Sequence, residues 1–157
     1  MARGRVSGQR ARAGMMAYPA AWRKIPLILR DMSYTIKNLR EVEDVAPDHG
    51  FSEIQEARFP RAALGAESTG LAYHRLHPGK RGFGHRHESA EEVYVVLSGS
   101  GRMKIDEEVV ELSPMDSIRV APQVGRAFEA GPDGLELLVF GPRHDRDGEI
   151  LEGFWVD

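Results

Sequence analysis

Hydrophobic residues in most of this chain occur in short runs that are separated by glycine, proline and aspartate. In several runs apolar and polar positions alternate, which is typical of strands with one buried face. Turn sequences such as HPGK, SGSG and AGPDG recur between them, and this rhythm predicts an all-β sandwich or barrel with little helix. The predicted strands are Tyr34–Leu39, Leu71–His77, Gly84–His87, Glu92–Leu97, Gly101–Ile105, Val109–Leu112, Ser117–Val120, Ala127–Ala130, Leu135–Phe140 and Leu151–Val156.

The first 31 residues differ in composition from the rest of the chain. They hold seven basic residues and one acid, Asp31, and their apolar patch is broken by Pro26. We predict a disordered basic extension at residues 1–31, with helix limited to a turn within Pro19–Arg30 and another near Leu39–Val45. A transit peptide or a basic arm for RNA or anionic lipid would have a similar composition. Residues 32–157 are predicted to form one folded domain.

The overall composition is that of an ordinary folded domain and excludes several classes of function. Of the 157 residues, 41% are hydrophobic and none is cysteine, which rules out disulfides, thiolate zinc sites and a cysteine nucleophile. Residues 32–157 carry 14 basic and 23 acidic side chains, so nucleic acid is not an expected partner. No stretch approaches the roughly 18 apolar residues of a membrane span. Since no secretory signal is evident, we expect a cytoplasmic protein without membrane contact.

Two histidines separated by one residue, in the sequence GHRHESAEEVYVVL, are the first candidate for chemistry. Because side chains at positions i and i+2 of a strand share a face, His85 and His87 should point the same way. The spacing favours Glu92 over its neighbour Glu91 as the acid that faces them. Two imidazoles and one carboxylate on one side of a metal leave other coordination positions open. We therefore predict that His85, His87 and Glu92 bind a divalent metal ion, namely Fe, Mn, Ni or Zn.

This arrangement resembles the first motif of the cupin family. In that motif a glycine is followed after five residues by His-x-His, then by a glutamate, and six residues later by a second glycine. The matching positions here are Gly79, His85, His87, Glu92 and Gly99. The resemblance implies a cupin-type jelly-roll barrel, also called a double-stranded β-helix, over about Leu71–Phe140.

The second motif of the cupin family is degenerate in this chain. Its glycine, proline, glycine, histidine and asparagine positions hold Met115, Ala121, Gln123, Arg126 and Ala130. In metal-binding cupins that histidine is the fourth protein ligand, whereas an arginine stays protonated and cannot bind a metal. Arg126 would either bind a substrate carboxylate or phosphate beside a three-ligand metal, or take the place of the metal and pair with Glu92.

The resemblance leaves the activity open, because cupins include dioxygenases, sugar isomerases, storage proteins and sensing modules. We expect a small polar molecule in the barrel, contacted by Arg126 and Tyr94, and a homodimer. One hypothesis is a metal-dependent enzyme of the oxygenase or isomerase type. The alternative is a non-catalytic binding or sensing module whose metal site has decayed, and a third is a structural dimer without a ligand. Among the other histidines, His74 is expected to be structural and His49 to be exposed.

Overall fold

The computed structural model describes residues 33–142, 144 and 146–155, and strands dominate this part of the chain. The strands form one curled antiparallel sheet, accompanied by a helical turn, α1 (Arg61–Leu64), and by 3-10 turns at Leu39–Glu41 and Pro47–His49. The prediction of an all-β fold with little helix is confirmed. The strands are β1 (Gln55–Arg58), β2 (Gly70–Leu76), β3 (Gly84–His87), β4 (Glu92–Ile105), β5 (Glu108–Leu112), β6 (Ser117–Val120), β7 (Arg126–Gly141) and β8 (Gly148–Leu151).

The two longest strands, β4 and β7, form the centre of the barrel. They pair antiparallel from Val93 opposite Phe140 to Ile105 opposite Arg126, and two register shifts around Gly99 bend the pair. The first half of β4 also pairs with β6, and its second half pairs with β5. The C-terminal half of β7 pairs with β2, which in turn pairs with β1. This double pairing curls the sheet around one interior.

The position of β3 brings the predicted site residues into that interior. β3 lies between β8 and the first residue of β7, with His85 directly opposite Arg126. Glu92 opens β4 after a short connection from His87, the last residue of β3. The side chains at the starts of β4 and β7 therefore face the same region as the two histidines of β3.

The fold still requires glycine at Gly99 of the first motif, whereas other residues occupy the glycine positions of the second motif. Gly99 lies at a register shift with φ 80°, and a Cβ there would stand 2.1 Å from the carbonyl oxygen of Gly134. Glycine is therefore required at that close approach. Met115 and Gln123 replace the glycines of the second motif, yet they keep left-handed backbone, with φ 75° and 69°. The backbone path of the second motif thus persists although its glycines are gone.

The apolar interior follows the alternation along β4 and β7. Tyr94, Val96 and Met103 on β4 face Leu135 and Leu137 on β7, and all five are at most 2% exposed. This packing supplies most of the favourable free energy of folding for such a barrel.

Within the described part of the chain, no helix is both long enough and apolar enough to span a membrane.

The predicted strand at Tyr34–Leu39 is wrong. Residues 34–38 have no regular structure, and Leu39 begins a 3-10 turn. Tyr34 and Ile36 are 71% and 81% exposed, so their apolar side chains find no neighbouring face to cover. Strand propensity without a pairing partner does not form a strand.

Other differences concern strand boundaries and one missed strand. Glu92–Leu97 and Gly101–Ile105 form the single strand β4, and the two strands predicted from Ala127 to Phe140 form β7, because their glycine-rich joints bend without breaking. β8 ends at Leu151, so the strand predicted at Leu151–Val156 begins too late. β1 was not predicted, since its sequence QEAR is mainly polar. The extension at residues 1–31 and the turn within Pro19–Arg30 lie outside the described residues.

Candidate metal centre and ligand cavity

The three predicted metal ligands converge at one end of the barrel interior. One potential ligand atom from each of His85, His87 and Glu92 lies within 4.8 Å of the others. Oε2 of Glu92 is 3.2 Å from Nε2 of His87 and 3.9 Å from Nε2 of His85. These distances suit donors that a single divalent ion could bridge after small side-chain movements. That an ion binds there stays a prediction.

Arg126 lies beneath this cluster with a fully buried side chain and makes three hydrogen bonds. Nη2 donates to Oε2 of Glu92 at 2.8 Å, Nε donates to the hydroxyl of Tyr94 at 3.0 Å, and Nη1 donates to the carbonyl of Val124 at 2.9 Å. The hydroxyl of Tyr94 donates in turn to the same oxygen of Glu92. Arg126, Tyr94 and Glu92 therefore form a closed hydrogen-bonded triangle in which the guanidinium balances the carboxylate charge.

This geometry favours the second of the two roles considered for Arg126, in which it pairs with Glu92. The side chain has no exposed surface and does not line the cavity that opens above the site. It acts on that cavity only through Glu92 and Tyr94, both of which do line it. Ligand contacts by Tyr94 and by Arg126 both stay predictions, and in the structure Arg126 holds Glu92 and Tyr94 in place.

Protonation states at the site match those that metal binding requires. Burial lowers the pKa of His85, which keeps its imidazole neutral. Burial alone would raise the pKa of Glu92, but hydrogen bonds with His85 and His87 outweigh it and hold that pKa well below its usual range. Burial, followed by the charge of Glu92, raises the pKa of Tyr94 well above its usual value, so the phenol keeps its proton. A neutral imidazole and an ionised carboxylate are the forms that bind metals.

The donor set fits a divalent transition metal, with one constraint from Arg126. The guanidinium, the phenol and both imidazoles all approach the same oxygen of Glu92, Oε2. An ion that both imidazoles and Oε2 held would therefore compete with the guanidinium and the phenol for this oxygen. Arg126 also places a positive charge near the ion and supplies no fourth ligand, which weakens the site relative to one with four protein ligands.

Asp147, in the segment before β8, supports His87 from the side away from the cavity. Its side chain is 6% exposed, and Oδ2 lies 3.2 Å from Nδ1 of His87, although the approach does not have the direction of a hydrogen bond. The same carboxylate accepts the backbone N–H groups of Ser89 at 2.8 Å and Ala90 at 3.0 Å. Asp147 therefore fixes the turn between β3 and β4 and places a negative charge behind His87. A negative charge in that position favours a metal cation bound on the opposite side of the imidazole.

Replacing Asp147 with asparagine is expected to weaken metal binding by roughly 10–100-fold, the range seen when such supporting carboxylates are removed. The amide keeps an acceptor for the turn but loses the charge behind His87. Calorimetric titration with Zn²⁺ measures the change. Asp116→Asn is the matched control, because Asp116 also accepts a backbone N–H, from Ser113 at 2.7 Å, but in an exposed turn outside the site. Equal affinities for the two variants would show that Asp147 does not act on His87.

A cavity of about 430 Å³ extends from this cluster toward the loop that precedes β1. This volume lies within the usual range for small-molecule sites. The inner end carries His85, His87, Glu92 and Tyr94, whereas most of the wall is apolar. The apolar wall comprises Val45, Ala46, Phe51, Ala57, Phe59, Ala72, Leu76, Phe83, Phe128, Leu137, Val139 and Ile150.

His74 on β2 is a further cavity residue. It alternates with Ala72 and Leu76, which also line the cavity, and its ring meets Phe59 edge to face at 5.7 Å. Its Nδ1 is buried and has no hydrogen-bond partner among the described residues. The expectation of a structural histidine with its hydrogen bonds satisfied is therefore wrong for this atom. His49 is exposed, as expected, and lies at the cavity mouth.

Burial, with a smaller effect from His85, lowers the pKa of His74 to about 4. In the unfolded chain a histidine titrates near pH 6.5. Between about pH 6.5 and pH 4 the unfolded state therefore binds more protons than the folded state, and stability falls as the pH falls. His74→Phe should reduce the slope of the unfolding free energy against pH by the equivalent of up to about one bound proton. Urea unfolding at several pH values measures this slope. Equal slopes for His74→Phe and wild type would contradict the lowered pKa of His74.

Sequence reasoning missed the residues that come from distant parts of the chain. The period-two spacing of His74 with Ala72 and Leu76 could have placed it on the inner face. Asp147 follows a polar loop and has no sequence signal of its own. Phe51 and Phe59, which flank β1, were not expected in the wall because β1 itself was not predicted.

Comparison with known proteins agrees with the fold and the first motif. The cupin domain family matches residues 72–140. A protein of Methanocaldococcus jannaschii, "Uncharacterized protein MJ1618", is 32% identical over 104 residues, which cover 64% of this chain and 82% of that protein. The chain belongs to the cupin family.

Two solved structures illustrate the range of proteins that share this fold. The polyketide cyclase RemF from Streptomyces resistomycificus superposes with a TM-score of 0.63 at 18% identity, covering 78% of this chain and 87% of RemF. A sugar phosphate isomerase of the cupin superfamily from Silicibacter pomeroyi gives a TM-score of 0.58 at 21% identity, with coverages of 70% and 76%. At such identities the likeness shows the fold alone.

Proposed function

We propose that this protein binds a small molecule in the barrel cavity, next to a divalent metal ion held by His85, His87 and Glu92. The observation that carries the proposal is the convergence of three ligand atoms within 4.8 Å at the inner end of a cavity of about 430 Å³. A metal-dependent enzyme is the function that this combination supports best, since a three-ligand site leaves positions open for a substrate.

A bound metal would act as a Lewis acid on a substrate oxygen. The residues of the chain have distinct tasks around it. Tyr94 and Arg126 hold the carboxylate of Glu92 in place through the hydrogen-bonded triangle. Asp147 supports His87, and the apolar wall limits the access of water. Since the phenol of Tyr94 keeps its proton, it serves as a hydrogen-bond donor and not as a base.

A non-catalytic binding module is the second candidate, and the Arg126–Glu92 pair favours it. The guanidinium already neutralises the carboxylate at 2.8 Å and is fully buried, so the site is charge-balanced without an ion. Such a module would keep its affinity for a ligand in the presence of a chelator, whereas an enzyme of the proposed kind would lose activity. The homodimer expected from the sequence remains a prediction, to be checked by sedimentation.

Calorimetric titration of chelator-stripped protein with Mn²⁺, Ni²⁺ and Zn²⁺ tests the proposed metal centre. We expect binding of at least one of these ions at about one ion per chain in wild type, and its loss in His85→Ala, because two ligands do not hold such an ion tightly. His77→Ala should bind like wild type, since His77 follows β2 and does not line the cavity or the region around Glu92. If His85→Ala and wild type bind every ion equally, the ions bind elsewhere and the proposal fails.

A further inference from the structure

The aromatic side chains of the cavity narrow the class of ligand. Phe51 and Phe83 pack against each other with ring centroids 4.7 Å apart, and Phe128 packs against Tyr94 at 5.0 Å. Phe59 contributes a further ring beside His74. All of these rings line the cavity. Such walls favour planar apolar molecules, which stack on aromatic faces or meet their edges.

The charges around the cavity disfavour a strongly anionic ligand. Among the described residues, no lysine or arginine lines the cavity. Arg126 lies beneath it and is engaged with Glu92, Tyr94 and the backbone of Val124. A phosphate group would give up its hydration without gaining a charged hydrogen-bond donor from the wall. This charge distribution fits an uncharged ligand better than the carboxylate or phosphate anion that was considered as a partner of Arg126.

The two ring nitrogens of His74 differ in their access to the cavity. Nδ1 is buried, and no described residue bonds to it. Nε2 is not among the buried atoms and has no hydrogen bond to a described residue. Because the ring of His74 lines the cavity, a ligand hydroxyl group can pair with Nε2 and gain a hydrogen bond in an otherwise apolar wall.

We propose that the cavity takes a hydroxy-aromatic molecule of one or two rings, with its rings among the phenylalanines and a hydroxyl group paired with Nε2 of His74. The proposal rests on the proposed function in using the same cavity, but binding of the ring system does not depend on the metal. Titrating the probes in the presence of a chelator therefore tests the ligand class separately from the metal centre.

Three probes titrated by calorimetry into the metal-free protein test the ligand class. They are 2-naphthol, naphthalene as its oxygen-free analogue, and ribose 5-phosphate as the anion. We expect 2-naphthol to bind at least about tenfold more tightly than ribose 5-phosphate, and about tenfold more tightly than naphthalene because of the hydrogen bond to His74. In His74→Phe the affinities for 2-naphthol and for naphthalene should be about equal, because the hydrogen bond to His74 is gone. Tighter binding of ribose 5-phosphate, or an unchanged preference in His74→Phe, would overturn the proposal.

A variant that fills the cavity shows whether the probe binds inside it. Ala72→Phe places a ring in the wall and should weaken 2-naphthol binding at least about tenfold, because the space is then occupied. Ala63→Phe makes the same change in α1, outside the cavity, and should bind like wild type. If melting curves show that Ala72→Phe does not fold, Ala57→Leu at another wall position replaces it. Binding of 2-naphthol that neither filled cavity weakens would place the probe on the surface and refute the proposal.

Discussion

Replacing Arg126 with methionine is expected to lower the free energy of unfolding of the metal-free protein by about 3 kcal/mol at pH 7. The variant leaves Glu92 without its cation and leaves the hydroxyl of Tyr94 and the carbonyl of Val124 without a donor. The figure is at the low end for breaking a buried pair, because the side chain of Glu92 is 17% exposed to the cavity. Urea unfolding in the presence of a chelator measures the loss.

The chain offers a matched control for this prediction. Arg119 pairs with the neighbouring Glu91 at 2.5 Å, but on the surface, where the two side chains are 63% and 47% exposed. Arg119→Met should cost less than about 1 kcal/mol. A cost for Arg126→Met no larger than that of Arg119→Met would mean that the buried pair does not stabilise the fold.

Arg126→His separates the structural role of the guanidinium from its effect on the metal. The variant should be destabilised without metal, because histidine does not replace the three hydrogen bonds of Arg126. It should bind a divalent ion more tightly than wild type, since a nearby cation is removed and an imidazole is added. Saturating metal should therefore restore more stability to Arg126→His than to wild type, by the linkage of binding to folding. Metal binding in the variant that is no tighter than in wild type would contradict this account of position 126.

Replacing Glu92 with glutamine is expected to lower metal affinity by more than the roughly 10–100-fold typical of a supporting residue, because it removes the anionic ligand itself. An amide oxygen binds transition metals more weakly than a carboxylate. The control is Glu91→Gln, which changes the adjacent exposed acid and should leave metal affinity unchanged. Calorimetric titration of both variants under identical conditions gives the ratio, and equal affinities would exclude Glu92 as a ligand.

The sequence predicted the parts of the site that lie on regular strands. Alternation along β3 places His85 and His87 on one face, and alternation along β4 places Glu92 with Tyr94 and away from Glu91. Because these periods are local, they hold whatever the rest of the chain does. Gly99 was equally predictable from its motif, and the close contact with Gly134 explains why the spacing is strict.

The remaining features depend on contacts between distant segments, which local patterns do not encode. Arg126 lies 34 residues after Glu92 in sequence. Whether its side chain contacts a ligand or pairs with Glu92 depends on how deeply the fold buries it. Asp147 reaches His87 from a segment 60 residues later, across the pairing of β3 with β8. The strand expected at Tyr34–Leu39 does not form for the opposite reason, because a suitable local sequence had no partner strand.

The metal ligands assigned to His85, His87 and Glu92 are tested most directly by elemental analysis of the purified protein after loading with a divalent transition metal and dialysis. We predict that wild type retains about one ion per chain and that His87→Ala retains almost none, because the variant keeps only two of three ligands. The same measurement on His77→Ala, a histidine that does not line the site, should match wild type. A wild-type protein that retains no ion, or a His87→Ala variant that retains as much as wild type, would contradict a metal centre at these residues.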